Sequence, residues 1–488
     1  MVSLYTNQPA FFADIADELR LFLAMEEIVP AEACGASCTD AVSVVLEEDG
    51  GLWRARAEVR LCGQRAVSAY ERPAVSGDAL EEKRCRKRAV KIAAFRAMRA
   101  ATGLELPWGS LTGIRPTRLL RELIAREGAA EAMRMMRQEF DVSEEKLSLA
   151  AEIVGVQMPI LHGQQKEDVD VYIGIPFCAS RCLYCSFASA VRTEKTDMAA
   201  YLAALERDIA HGAEIVRDTG HTVRSMYLGG GTPTVLTAEE LRRLLDFALS
   251  AYGGFGVELT VEAGRPDTIT QEKLAVLRAA GVGRVSINPQ SMNERTLRLI
   301  GRSHTPEEIK TAFHMAREAG FASINMDVIA GLPGETEDDM RHTLDEIVRL
   351  APDNLTVHTL ALKRSSRLVE KLGEYPLPEA DVAEAMVTAG AEAAHALGMR
   401  PYYMYRQKYM RGNLENVGYA LPGKECVYNI DMMEDTTSIM AHGAGAMTKC
   451  IYDAERRVER VPNPKDIATY IAKIDRLAEE KRRLYEIR

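Results

Sequence analysis

At 488 residues the chain is too long for one ordinary hydrophobic core, and two or three domains are expected. Its 47% hydrophobic and 27% charged residues describe a globular protein, and a net charge of −10 argues against wholesale binding of nucleic acid. No stretch approaches the roughly 20 apolar residues that span a bilayer, so no membrane span is expected. Residues 1–11 lack a basic segment leading into an apolar one, and nine cysteines, an odd number with three in one loop, fit a reducing compartment better than a disulfide framework. The expected location is the cytoplasm.

Residues 1–165 read as an N-terminal α+β domain without assigned chemistry. Alternating or apolar patterns at residues 41–46 and 52–69 suggest a small antiparallel sheet, followed by helices at 79–102, 115–126 and 129–140. The first helix is strongly basic, carrying Lys83, Arg84, Arg86, Lys87, Arg88, Lys91, Arg96 and Arg99. A solvated face balanced by neighbouring acids accounts for such a run; the alternative is a docking surface for RNA or for an acidic partner such as a flavodoxin. Residues 109–117 look like a turn leading to a helix start. Cys34 and Cys38 repeat a C-x3-C step, but no third thiol follows, and Cys62, Cys85, Cys426 and Cys450 are scattered singly. All six read as ordinary thiols.

Residues 166–370 alternate between short runs rich in Val, Ile, Leu and Thr and helical patterns. The strands fall at 169–175, 225–228, 258–261, 284–287, 324–329 and 355–362, the helices at 198–216, 238–249, 271–280, 306–319 and 337–350. Six β/α units with right-handed crossovers give an α/β fold, a parallel sheet curled into a partial TIM-like barrel. Active sites of such barrels lie at the C-terminal ends of the strands.

The richest motif follows the first of these strands: Cys178, Cys182 and Cys185, spaced C-x3-C-x2-C among aromatics. Cubane iron–sulfur clusters are normally held by four thiolates, so three in one loop leave one iron open to a ligand. Structural thiols, or a zinc site completed by a distant histidine, are the other readings. After the second strand come Gly229, Gly230, Gly231 and Thr232, whose backbone can approach a ligand closely. Glu262 ends the third strand and Asp327 lies on the fifth; acids aimed into a barrel mouth need hydroxyl or ammonium donors to offset their desolvation. Asn288 and Gln290 end the fourth strand, with Arg302 twelve residues beyond Gln290. Asn288 alone reads as a structural polar group.

The cysteine spacing resembles the signature of the radical S-adenosylmethionine (SAM) enzymes. There the open iron chelates the amino and carboxylate groups of SAM, and an electron from the cluster cleaves the sulfonium to a 5'-deoxyadenosyl radical. Tyr172 before the first cysteine, the glycine run with Thr232, Pro233 and Thr234, Glu262, Gln290 with Arg302, and the segment Asp327 to Pro333 are similar to the oxygen-independent coproporphyrinogen III dehydrogenase family. The resemblance implies a 4Fe-4S cluster on Cys178, Cys182 and Cys185. SAM would be held by Tyr172, Gly230 and Glu262, with Tyr172 and Glu262 as the catalytic candidates. A second SAM would lie against Tyr184, Gly231, Thr232, Gln290, Arg302, Asp327 and Ala361.

Residues 371–488 resemble the family's C-terminal segment, expected to cover the barrel mouth, and residues 403–408 with the added N-terminal region point to the subgroup called HemZ. Phe187 departs from the pattern. The dehydrogenase has a further cysteine there, whereas the family's haem-chaperone branch has phenylalanine. The implied activity is oxidative decarboxylation of coproporphyrinogen III propionates to vinyl groups, fed by a low-potential donor such as flavodoxin or ferredoxin. The alternatives are a haem chaperone, a haem-degrading methyltransferase or ring-opening enzyme, and a tRNA-modifying enzyme. Lys363, Arg364, Arg367, Arg406 and Lys408 are candidate partners of the propionates.

Overall fold

The computed structural model describes residues 1–488 except 24–25, 34–38, 76, 114, 188–189, 255–256, 364, 408–412, 453–456 and 487–488. Cys34, Cys38, Arg364 and Lys408 therefore lie outside the described residues. Two compact units are present, Met1–Ala151 and Glu152–Arg488. This corrects the boundaries expected at 165 and 370. The division falls inside a helix, and the residues beyond 370 form no unit of their own because they supply strands to the barrel sheet.

In the first unit, β1 (Val2–Thr6), β2 (Ile28–Pro30), β3 (Ala41–Asp49), β4 (Leu52–Leu61) and β5 (Gln64–Pro73) form a sheet in the order β2-β1-β3-β4-β5. The β3–β4–β5 meander is antiparallel as expected, but β1 runs parallel to both of its neighbours. β1 and β2 are five and three residues long, too short for a period-2 pattern to show. On β4 the alternation is clear: Trp53, Ala55, Ala57, Val59 and Leu61 are buried, while Arg54, Arg56 and Arg60 face out.

α1 (Phe12–Leu19) and α2 (Ala79–Thr102) pack on the buried face through Ile15, Ala89, Ala93, Phe95 and Ala97. The polar side of α2 is the balanced face. Arg84 and Arg86 pair with Glu81 and Glu82, Lys87 with Asp14, Lys91 with Glu18, and Arg96 and Arg99 with Asp141. Arg88 lies over the Phe140 ring. α3 (Pro116–Glu127), α4 (Ala129–Gln138) and α5 (Glu144–His162) complete the first half of the chain; α5, apolar along much of its length, carries no helical stripe that would have marked it.

The second unit is built on β6 (Asp168–Ile175), the two-residue ladder β7 (Phe177–Cys178) with β8 (Ala190–Val191), and the expected β/α alternation. This runs α6 (Met198–Asp218), β9 (Thr222–Gly230), α7 (Ala238–Tyr252), β10 (Glu258–Gly264), α8 (Gln271–Ala279), β11 (Arg284–Ile287), α9 (Glu294–Leu299), α10 (Pro306–Glu318), β12 (Ser323–Ala330), α11 (Glu337–Leu350) and β13 (Asn354–Thr359). The order β6-β9-β10-β11-β12-β13 is parallel throughout. Capping boxes at Thr237/Glu240, Thr305/Glu308 and Thr336/Asp339 satisfy the first N–H groups of α7, α10 and α11. They end the strand-to-helix loops sharply. Each buried Leu or Ile on the inner faces of these helices, such as Leu241, Ile309 and Ile347, contributes roughly 1.5–3 kcal/mol.

Beyond β13 the chain continues as α12 (Arg367–Glu370), α13 (Ala380–Ala396), β14 (Arg400–Tyr405), β15 (Asn416–Ala420), α14 (Val427–Glu434), β16 (Ser438–His442), β17 (Met447–Tyr452), β18 (Arg457–Pro462), α15 (Ile467–Ala472) and α16 (Ile474–Glu486). This segment, expected to cover the mouth, also supplies strands to the barrel sheet. β15 and β14 extend the β13 edge, and β16, β17 and β18 extend the β6 edge, giving an 11-stranded sheet. The β16 edge is fastened by a buried network around Asp208 of α6. Lys481 of α16 donates to its Oδ1 at 2.6 Å, Tyr470 to its Oδ2 at 2.8 Å, and His442 stands 3.2 Å away. Among the described residues no helix is long and apolar enough to cross a membrane.

Candidate active site

A cavity of about 620 Å³ opens at the C-terminal ends of the parallel strands and runs into the barrel. That is within the range of small-molecule and cofactor sites. All of Cys178, Cys182, Cys185, Tyr172, Tyr184, Gly230, Gly231, Thr232, Glu262, Gln290, Arg302, Asp327 and Ala361 line it. Among the described residues no three metal-ligating side chains already converge as a finished ligand set. The three thiols line the same cavity, and Thr232 Oγ1 donates to Cys178 Sγ at 3.6 Å.

The glycine run explains itself at this wall. β6 and β9 are paired through Gly174/Gly229 and Ile175/Gly230. A Cβ on Gly231 would stand 2.4 Å from the Phe177 carbonyl oxygen and 3.0 Å from Cys178 Sγ, and Gly230 has φ +109°. Only glycine lets the β9 exit lie directly against the cysteine loop.

Glu262 sits where the β10–β11 register shifts between Val261 and Gly264, an irregularity that turns its side chain into the cavity. Its Oε1 accepts from Tyr227 Oη at 2.6 Å and its Oε2 from the Gly230 N–H at 3.2 Å. Burial raises the carboxyl to about 7; the two donors and His358 pull it down, while the charge of Asp327 adds to the rise. Asp327 behaves oppositely. Burial pushes it up, but His358, Asn325 and Thr356 outweigh that and hold it below its ordinary value. Asn325 Nδ2 donates at 2.7 Å, and His358 Nε2 lies 3.6 Å away.

The β11 exit supplies unpaired acceptors. Gln290, left-handed at φ +67°, is locked between Asp327 and Ile329 by backbone bonds of 2.9 and 3.1 Å. Its Oε1 and the Oδ1 of Asn288 are buried without a hydrogen-bond partner. Backbone strain and unpaired buried polar atoms gather where a ligand completes a site. Asn288 is thus corrected from a satisfied structural group. Arg302 donates to the Asn288 carbonyl oxygen at 2.5 Å and to Tyr184 Oη at 3.4 Å.

Several residues carried no sequence signal of a site. Tyr227 and Tyr428 stack with Tyr172, at centroid separations of 4.6 Å for Tyr227–Tyr428 and 6.3 Å for Tyr172–Tyr227, forming the wall behind Glu262. Tyr227 lies within an apolar run and read as core. His358, Tyr402, Tyr403, Tyr405 and Cys426 also line the cavity, the last buried beside Glu258. Of the described cations expected at the mouth, Lys363 lines the cavity, whereas Arg367 is exposed outside it and Arg406 donates to Asn413. Arg181, in the cysteine loop, lines it instead. Phe187 is 70% exposed at the rim.

The donor set fits an iron–sulfur cluster with SAM. It offers three thiols from one loop, a cradle that a single Cβ would fill, and buried acids and amide oxygens facing a space that admits ammonium and hydroxyl donors.

Comparison with known proteins agrees with that geometry. A sequence profile of the Radical SAM superfamily matches residues 172–347. The oxygen-independent coproporphyrinogen-III oxidase-like protein HemZ of Bacillus subtilis (strain 168) is 40% identical over 391 residues, 79% of this chain and 78% of that protein. The heme chaperone HemW of the same organism is 31% identical over 56% of this chain and 69% of its own length. Coproporphyrinogen III oxidase (HemN) of Escherichia coli has the same fold, with a TM-score of 0.52 at 23% identity over 69% of this chain and 74% of that one. The chain belongs to the radical SAM family that includes HemZ, and the cofactors of that family are a 4Fe-4S cluster and SAM.

Proposed function

We propose that the protein catalyses oxygen-independent oxidative decarboxylation of coproporphyrinogen III propionates to vinyl groups, in the cytoplasm, with reducing equivalents from a low-potential donor such as flavodoxin or ferredoxin. The continuity of the cavity supports this: the three thiols share it with buried acids and unpaired amide oxygens, a lining suited to SAM. When bound, the cluster and SAM supply a 5'-deoxyadenosyl radical.

The chain's own residues hold, orient and exclude water. Cys178, Cys182 and Cys185 would hold the iron. Glu262, Tyr172, Gly230 and Gly231 would hold SAM, with Glu262 as the hydrogen-bond acceptor. Tyr184, Thr232, Gln290, Arg302, Asp327 and Ala361 line the remainder of the same cavity and would hold a second SAM. The stacked tyrosines close the side away from solvent. Lys363 and Arg181 meet the substrate carboxylates at the mouth. The net change is loss of one hydrogen from the propionate β carbon, of carbon dioxide and of one electron to an acceptor.

Phe187 favours a second reading, a haem chaperone, because it is a large apolar side chain in solvent at the rim. One anaerobic assay separates the two. Coproporphyrinogen III with reductant and SAM should lose two carboxyl groups, with 5'-deoxyadenosine formed in proportion. SAM cleavage without decarboxylated product, together with tight haem binding and transfer, would establish the chaperone instead.

A further inference from the structure

We infer that Arg265 is a positioning residue for the cysteine loop: its buried guanidinium fixes Ser180, and through it the relative placement of the Cys178 and Cys182 thiols at the rim of the cavity. This rests on the proposed role of those thiols as iron ligands.

Arg265 follows the last residue of β10, in the turn Gly264-Arg265-Pro266-Asp267, and its side chain is 4% exposed. Asp267 occupies one edge of the guanidinium, accepting from Nε at 3.0 Å and Nη2 at 2.9 Å. The free edge is spent on one residue. Nη1 donates to the Ser180 carbonyl oxygen at 3.1 Å and to its hydroxyl at 2.7 Å. Ser180 Oγ then donates to the Gly301 carbonyl oxygen at 3.1 Å.

Ser180 lies midway between Cys178 and Cys182, and the flanks of that segment are tied by backbone bonds. Arg192 N–H donates to the Cys178 carbonyl oxygen at 2.9 Å, and Leu183 N–H to that of Ile300 at 2.9 Å. The bridge at Ser180 removes the freedom left between those two ties. A planar fork that grips a carboxylate on one edge and a backbone carbonyl with a hydroxyl on the other sets direction as well as distance, which a flexible ammonium does not. The fully buried ring of His304 stands 3.7 Å from Asp267 Oδ1 and backs the carboxylate. No buried cation is needed to close the strand-to-helix turn, because a single 3-10 turn at Pro266–Thr268 and the Thr270 cap of α8 already close it. Groups that orient metal ligands typically affect metal affinity or activity 10–100-fold when removed.

The test uses the full chain, reconstituted anaerobically, and needs no tetrapyrrole. Iron and sulfide content, the electron paramagnetic resonance spectrum of the reduced cluster with and without SAM, and SAM affinity are measured for Arg265→Met, Arg265→Lys and Ser180→Ala. With secondary structure intact by circular dichroism, Arg265→Met should hold less than half the iron, lose the spectral shift caused by SAM and bind SAM at least about tenfold more weakly. Arg265→Lys should recover iron but not the full SAM response, and Ser180→Ala should show a smaller change of the same kind. Wild-type iron content and SAM response in Arg265→Met overturn the inference. If Arg265→Met does not fold, Ser180→Ala decides: wild-type spectra there make Arg265 a fold stabiliser only. An intact cluster and SAM response in the unmutated chain, with no vinyl product when coproporphyrinogen III is supplied separately, counts against the proposed reaction and leaves the inference standing.

Discussion

The second unit buries polar groups in two places that follow opposite rules. Around Asp208 the chain supplies its own partners: Lys481, Tyr470 and the Gly443 N–H all donate to one carboxylate. Around Gln290 and Asn288 it withholds them, leaving two amide oxygens unpaired beside Glu262, whose carboxyl is raised to about 7. The Asp208 carboxylate is thus satisfied from within the chain, whereas the Gln290 and Asn288 amide oxygens face a cavity that a ligand can fill. Both places are rich in acids, tyrosines and cations, so it is the open space beside the unpaired atoms, and not residue type, that tells them apart.

The largest effect should come from breaking the closed network. Lys481→Met leaves Asp208 buried without its cation and should lower unfolding free energy by about 3–5 kcal/mol, read by urea denaturation. Burial pushes Asp208 up, but Lys481 and His442 outweigh it and hold the carboxyl well below its ordinary value. Stability from this site is therefore present above the unfolded value of 3.8 and lost as pH falls toward the depressed folded value. A change under about 1 kcal/mol in Lys481→Met would erase the contrast between the two places.

Glu262 should give the opposite pH sign. Because its folded pKa is raised from 4.5 to about 7, the ligand-free chain binds an extra proton between those values, and stability falls as pH rises through that window. The total is about 3 kcal/mol at 1.36 kcal/mol per unit. Glu262→Gln should flatten that slope and weaken SAM binding most above pH 7, where the wild-type carboxylate is ionised. An unchanged slope would mean that the carboxyl reaches solvent.

A smaller cost is expected in Gly231→Ala, about 1–3 kcal/mol from overpacking against the Phe177 carbonyl, with iron retention falling more than stability. The smallest change sharpens the comparison. Gln290→Gly relaxes a left-handed residue and should alter stability by no more than about 1 kcal/mol, in either direction, yet weaken SAM binding by removing the open amide. Equal loss of stability and binding would make Gln290 an architectural residue.

Much of this was legible in the sequence. The six parallel strands stood out because buried parallel strands read as continuous apolar runs bounded by helix caps. The residues read as cluster and SAM contacts all line one cavity, since each sits at a strand exit where the barrel geometry gathers them. What stayed hidden is long-range. Tyr227 looks like core until Tyr428 arrives from a segment two hundred residues later to stack on it. The pairing of β16 with β6 has no local signature, and the cations after β13 could not be sorted into cavity and surface before Arg406 was seen turned toward Asn413.

That late pairing has a consequence for how the protein comes into being. The strand that leads into the cysteine loop must wait for a neighbour made about 270 residues later: Val169 pairs with Ser438. Until then β6 and β13 present two bare margins, each a template for joining another chain. Iron delivered to the loop before β16 is made would meet a half-built wall, and truncation at residue 370 should yield aggregates rather than a smaller working barrel.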